Sequence, residues 1–336
     1  MQKITVIGAG SWGLALARLL AKQNQQVSIW DKDTDALNHL RINHKHPRLL
    51  PGFVLPDNVM IAETLEESIQ SSEEIVLTIP SHVMRAVCTS IKPYLSHGHI
   101  LISCAKGLEM DTLKTMSEVI QDVLPELSSS QITALSGPSH AEEVSMDIPT
   151  TVSVSGSDIQ VLAKIQDIFS TRFFRVYTNM DLVGVEMGAA LKNVIAIAAG
   201  ACDGMGFGDN TKAALITRGL AEMTRLGVKK GANPATFSGL SGLGDLVVTC
   251  MSRHSRNRMF GELKAKGFST DEALQKIGMV VEGLKTSEAA KKLSDKLEVE
   301  MPITNEIYNV IHDEKSVKQA VMDLMTRDPK SERENF

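Results

Sequence analysis

The stretch Ile4–Gly13, ITVIGAGSWG, decides the fold. Four apolar or β-branched residues read as a buried strand, and Gly8, Gly10 and Gly13 follow it in G-x-G-x-x-G spacing, running into the helical pattern LALARLLAK. Each glycine has a separate job at such a junction: the first makes the tight turn, the second lets a pyrophosphate approach the backbone, and the third lets helix and strand pack closely. The helix N-terminus then offers uncompensated N–H groups to the anion. The spacing alone is a weak signal. Its place between a strand and an apolar helix, with Asp31 ending the next strand 18 residues after Gly13, makes it a strong one for a dinucleotide site.

Working outward, the first half alternates short apolar runs with helical stretches. Expected strands are 4–8, 27–30, 75–80, 100–104, 132–136 and 150–155, with 173–177 as a last edge strand. Nearly continuous apolar strands separated by helices indicate a doubly wound parallel sheet covered on both faces. From about residue 185 the periodicity is helical. In TKAALITRGLAEMTRLG, Leu215, Ile216, Leu220, Met223 and Leu226 share a face, and Gly227 is expected to end the helix. The expected fold class is therefore α/β, a Rossmann-like dinucleotide-binding domain over 1–185 followed by an all-helical substrate and catalytic domain over 186–336.

Composition bounds the function. The chain has 336 residues, is 43% hydrophobic and carries a formal charge of −5, which argues against a nucleic-acid partner. The start lacks a secretory layout, and the uncharged stretches read as too short or too rich in small residues to span a bilayer, so a cytoplasmic protein is expected. Cys88, Cys104, Cys202 and Cys250 are widely spaced with no Cys/His ligand cluster, so reduced thiols and no metal are expected.

Five segments carry possible chemistry. GAALKNVIAIAAG, Gly188–Gly200, holds one ionisable residue, Lys192, among small and aliphatic neighbours. A lysine placed there either snorkels to water or keeps a lowered pKa that suits acid–base work, and the residues alone leave both open. SCAKGLE puts Lys106 just past a strand, at the edge where open α/β sheets bind ligands. In SGPSHAEEV, Ser139 and Glu142 have capping-box spacing at a helix start. SGLGDLVVTC offers Asp245 after a glycine turn, although such turns and caps are ordinary punctuation by themselves. SRHSRNRMFG gathers Arg253, Arg256 and Arg258 with Ser255 and Asn257 at a helix beginning, a donor set suited to phosphate. His82, His140 and His254 receive no catalytic role.

Taken together, GAGSWG, AKGLE, SGPSHAEE, GAALKNVIAIAAG, DGMGFGDNTKAALITRGLAEM, GLGDLVVTC, SRNRMFG, VVEG and EMPIT resemble the bacterial type of NAD(P)-dependent glycerol-3-phosphate dehydrogenase, from Ile4 to about Thr326. The resemblance implies a second domain like the C-terminal domain of 6-phosphogluconate dehydrogenase. It implies NADP(H) or NAD(H) bound by Gly8, Gly10, Ser11, Trp12, Gly13, Lys32, Lys106, Ala141, Arg256, Val280 and Glu282. It further implies a substrate, dihydroxyacetone phosphate or sn-glycerol 3-phosphate, held by Lys106, Gly137, Ser139, Lys192, Asp245, Ser255, Arg256 and Asn257. Lys192 would be the proton acceptor, with Lys106 and Asp245 completing the catalytic set; a homodimer and supply of glycerol 3-phosphate for phospholipid synthesis are also implied. Chemistry agrees: apolar neighbours and a second cation, Lys106, would lower the lysine's pKa, while a nearby Asp245 would oppose them and orient the amine. Two other readings use the same architecture, a ketopantoate or 6-phosphogluconate type reductase and a non-catalytic dinucleotide sensor. Cofactor choice is contested within the sequence, since Asp31 favours NAD whereas Lys32, with Lys3, Lys22 or Arg41 if near, favours a 2′-phosphate. Use of both is expected, with NADPH modestly preferred.

Overall fold

The computed structural model describes residues 2–332. The chain divides into two compact units, one running to Ala105 and resuming over Met116–Leu182, the other formed by Lys106–Thr115 and the chain from Val183 onward. An expected boundary near residue 185 leaves out that excursion. Leu108, Met110 and Leu113 belong to the second unit's core, so ten residues leave the first unit in mid-sheet.

The first unit is one eight-stranded sheet. Its strands are β1 Lys3–Ile7, β2 Gln26–Trp30, β3 Val59–Ile61, β4 Glu74–Leu77, β5 Ile100–Ser103, β6 Ile132–Ser136, β7 Thr150–Ser155 and β8 Phe174–Asn179, in spatial order β3-β2-β1-β4-β5-β6-β7-β8. All neighbours are parallel except β6 and β7, which run antiparallel and so depart from the expected parallel sheet. The helices are α1 Ser11–Lys22, α2 Thr34–Asn43, α3 Leu65–Gln70, α4 Met84–Ile91, α5 Met116–Val123, α6 Ala141–Ser145 and α7 Ile159–Phe169. Successive strand residues face opposite ways, and here both faces are buried. Val6, Val76 and Ile102 join α1 and α7 residues in one core cluster, while Ile7, Leu77 and Leu101 join α4 and α5 residues in another. Strand β3 was not expected from sequence: it has three residues, one of them buried, and pairs only with β2. β1 lies where the strand order reverses, so the loop after it sits at the switch point where such sheets bind ligands.

The second unit is helical: α8 Leu182–Gly204, α9 Asp209–Lys229, α10 Asp245–Met251, α11 Arg256–Ala265, α12 Thr270–Ile277, α13 Glu282–Lys296, α14 Pro302–His312 and α15 Val317–Met325. Every residue of α8 from Gly184 to Cys202 is buried, as a helix apolar all round must be. By length and composition α8 is apolar enough to cross a membrane, but 89% of its apolar window is buried inside the protein, the environment of a core helix. The backbones of α8 and α11 touch. A Cβ on Gly200 would lie 1.7 Å from the Arg258 carbonyl oxygen, and one on Gly261 would lie 1.9 Å from that of Ile197. Gly227 does not end α9, which continues to Lys229; its missing side chain makes room for the Phe237 ring, 2.2 Å from where a Cβ would be.

Candidate active site

In the first unit the glycine loop has the geometry its spacing implies. Gly8 has φ +109°, a conformation that favours glycine, and a Cβ on Gly13 would lie 1.9 Å from the Gly8 carbonyl oxygen. At Gly10 a Cβ would meet nothing within 4 Å, and Gly10 caps α1 with no side-chain hydrogen bond and no acidic residue in the first turn. Open space before uncapped N–H groups fits a dinucleotide pyrophosphate. Ser11 opens α1, and Trp12 packs against the core with its ring 6.5 Å from that of Phe174. Asp31 does something other than wait for a ribose: Oδ2 accepts from the Ala9 N–H at 2.7 Å and Oδ1 from the Asp33 N–H at 2.9 Å, so it ties the glycine loop to the end of β2. Lys32 beside it is exposed.

The capping box expected at Ser139 and Glu142 does not form. His140 is the N-cap of α6, with no side-chain cap, and the Ser139 hydroxyl donates to the Gly137 carbonyl at 3.0 Å. With His140 as the N-cap and Ala141 as the first helical residue, Glu142 stands at the second helical position, one short of the capping-box position.

In the second unit the buried lysine is resolved. Lys192 is 5% exposed on α8, and its ammonium donates to Asp245 Oδ1 and, at 2.8 Å, to Thr249 Oγ1. Lys106 Nζ donates to the other Asp245 oxygen at 2.8 Å. Asp245, 1% exposed, is thus shared between two cations. Burial pushes the Lys192 pKa down to about 8, with Asp245 opposing and Lys106 assisting. Burial raises the Asp245 carboxyl, but the cations Lys106 and Lys192 outweigh it and hold the pKa below the usual value. The ammonium is buried on a carboxylate and a threonine hydroxyl instead of reaching water, which disposes of the snorkelling alternative.

Around this triad the phosphate donors are fewer than the sequence suggested. Ser255 is the N-cap of α11 and accepts from the Arg258 N–H at 3.2 Å. Arg258 is turned inward, where Asp203 and Glu262 neutralise it, so it adds no free charge to the clamp. Asn257 Nδ2 donates to Asn193 Oδ1 at 2.9 Å and its Oδ1 accepts from the Gly283 N–H at 2.9 Å, a structural bridge between α8 and α13. Arg256 keeps donors to spare after Nη1 donates to the Val280 carbonyl at 2.8 Å. Glu282 opens α13; burial raises its pKa against the lowering by Arg256, Lys106 and Lys192, which places it in their field.

Two residues were missed. Thr249 lies four residues after Asp245, on the same helix face, a spacing that could have flagged it. Asn193 adjoins Lys192 and its Nδ2 is buried without a hydrogen-bond partner; only its place beside the lysine hinted at this.

Comparison with known proteins gives this geometry a family. Residues 3–162 match the model of the NAD-dependent glycerol-3-phosphate dehydrogenase N-terminus and residues 181–322 that of its C-terminus. A glycerol-3-phosphate dehydrogenase [NAD(P)+] of Chlorobium phaeobacteroides is 48% identical over 330 residues, covering 98% of this chain and 99% of the relative. One from Clostridium acetobutylicum is 48% identical over 99% of both chains. The crystal structure of glycerol-3-phosphate dehydrogenase from Coxiella burnetii superposes with a TM-score of 0.93 at 36% identity, over 97% of this chain and 99% of that one. A ketopantoate reductase from Ralstonia eutropha, with a TM-score of 0.58 at 13% identity over 95% of this chain and 99% of that one, shares the fold alone. With its glycine loop and its buried lysine on a shared carboxylate, the chain belongs to the NAD-dependent glycerol-3-phosphate dehydrogenase family.

Proposed function

We propose that the protein interconverts sn-glycerol 3-phosphate and dihydroxyacetone phosphate with NAD(P), and that the observation carrying this is Lys192 held on Asp245 with its pKa lowered to about 8. The bound nicotinamide supplies or accepts the hydride at C2. In reduction, the Lys192 ammonium donates a proton to the ketone oxygen as C2 takes up the hydride, leaving a secondary alcohol and a neutral amine. In oxidation the neutral amine takes the hydroxyl proton as C2 loses the hydride. Asp245 fixes the ammonium, Thr249 accepts its second hydrogen bond, and Lys106 restrains its basicity.

For the cofactor, the roles rest with Gly8, Gly10, Ser11, Trp12, Gly13 and Lys32, together with Ala141, Lys106, Arg256, Val280 and Glu282. For the substrate they rest with Lys106, Lys192, Asp245, Ser255, Arg256, Asn257, Gly137 and Ser139. Arg256 supports the phosphate assignment most directly, being an arginine with unused donors at a helix N-terminus. Supply of glycerol 3-phosphate for phospholipid synthesis and a homodimer follow from the family resemblance. A cytoplasmic location is supported by four buried cysteines that form no disulfide among the described residues. The decisive test follows loss of NAD(P)H absorbance with dihydroxyacetone phosphate, with ketopantoate and with no substrate. Turnover on the triose phosphate alone is expected; preference for ketopantoate, or binding of NAD(P)H with no turnover, would overturn the reading.

A further inference from the structure

The sequence offers Lys3, Lys22 and Arg41 as cations for a cofactor 2′-phosphate, and the structure puts each to other use. Lys3 begins β1, at the opposite end of that strand from the glycine loop. Lys22 pairs with Asp147, alongside Arg18. Arg41 donates to Asn38 and to the Ile61 carbonyl. A different cation stands near the end of β2. Asp31 accepts from the Asp33 N–H, Asp33 Oδ1 caps α2 through the Ala36 N–H at 3.0 Å, and Asp33 Oδ2 accepts from Arg48 Nη2 at 3.3 Å. A connected path therefore runs from Ala9 in the glycine loop through Asp31 and Asp33 to the Arg48 guanidinium.

Arg48 is presented by a turn of its own. His46 Nδ1 accepts from the Arg48 and Leu49 N–H groups, both at 3.1 Å, so the proton of the neutral ring is on Nε2. Burial and the Arg48 charge keep the His46 pKa below its ordinary value, which preserves that acceptor. Pro47 stiffens the segment between them. The Arg48 side chain is 76% exposed and, among the described residues, its one acidic contact is 3.3 Å long, so donors remain for a ligand.

We propose that Arg48, with Lys32, is the specificity-determining residue that takes the 2′-phosphate of NADP(H). The end of β2 is where sheets of this kind meet the adenosine ribose, and an arginine there accommodates the 2′-phosphate. Asp31, the residue that would otherwise select NAD, is occupied by two backbone N–H groups. Asp33 is the competitor: it holds Arg48 when no phosphate is present and opposes the phosphate with its own charge. The inference rests on the dinucleotide reading of the glycine loop.

The test measures binding, not turnover. Dissociation constants for NADPH, NADH, 2′,5′-ADP and 5′-ADP are determined by calorimetry on the wild type and on Arg48→Gln, Asp33→Asn and the double variant. Arg48→Gln is expected to weaken NADPH and 2′,5′-ADP about tenfold, the scale of one charge-assisted hydrogen bond, and to leave NADH and 5′-ADP within about twofold. Asp33→Asn keeps a good N-cap residue and should tighten the 2′-phosphate ligands severalfold, a gain absent in the double variant. Equal weakening of all four ligands by Arg48→Gln, or none, overturns the proposal while leaving the dinucleotide site standing. Failure of the wild type to bind NADPH or NADH overturns the dinucleotide reading itself.

Discussion

Two helix N-termini, α1 in the first unit and α11 in the second, are the ones the proposed function assigns to phosphate, and they are built oppositely. At α1 the cap is Gly10, the first turn carries no acid, and a Cβ there would meet only open space. At α11 the cap is Ser255, whose hydroxyl already satisfies the Arg258 N–H, and an arginine side chain provides the charge. A pyrophosphate in the middle of a large cofactor must be approached by backbone, so the device is made by removing side chains. The terminal phosphate of a three-carbon substrate can be reached by side chains, so the device is made by adding one. The buried lysine, Lys192, belongs to the second unit.

The strongest expected effect comes from deleting the lysine and leaving both helix N-termini intact. Lys192→Ala should lower kcat by about 10² to 10⁴ while the NADPH dissociation constant stays within about twofold, as stopped-flow and calorimetry would show. A variant retaining a third of wild-type turnover would remove Lys192 from the mechanism. Next comes Arg256→Ala, expected to raise KM for dihydroxyacetone phosphate by about ten- to a hundredfold, with a much smaller loss for unphosphorylated dihydroxyacetone. Equal losses would mean that the side-chain device does not read phosphate.

The backbone device is sharpened by two alanines. Gly10→Ala meets no protein atom and should leave the melting temperature unchanged while weakening NADPH about tenfold. Gly13→Ala drives a Cβ against the Gly8 carbonyl and should cost about 1 to 3 kcal/mol of stability as well as cofactor affinity. The smallest effect is on pH. With the Lys192 pKa lowered to about 8, kcat/KM for ketone reduction needs the protonated amine and falls as pH rises through 8. Oxidation needs the neutral amine and rises over the same window, by about tenfold from pH 7 to 9. Parallel profiles in the two directions would break the assignment.

Sequence made the sheet legible because each central strand is apolar on both faces, and Val6 and Ile7 indeed enter different cores. The glycine loop was legible because three residues without side chains at fixed spacing have few other causes. What stayed hidden depends on partners distant along the chain. Arg258 looks like a free cation until Asp203, 55 positions earlier, is folded against it. Asp31 looks like a ribose ligand until Ala9 claims it, and β3 exists only because β2 supplies its hydrogen bonds. The Lys106–Thr115 excursion has no composition shift to mark it, since its apolar residues serve the second core as readily as the first.

The crossing of α8 and α11 bears on redesign of this enzyme. Gly200 lies within α8, where alanine would improve local helix propensity by up to about 1 kcal/mol, and a consensus of intrinsic preferences would recommend the change. Yet the added carbon would fall 1.7 Å from the Arg258 carbonyl oxygen and lever away the helix that carries Arg256. Any stabilisation campaign that scores residues by local propensity would thus select against the α8–α11 crossing at this point, and Gly200 and Gly261 should be held fixed in libraries that vary everything around them.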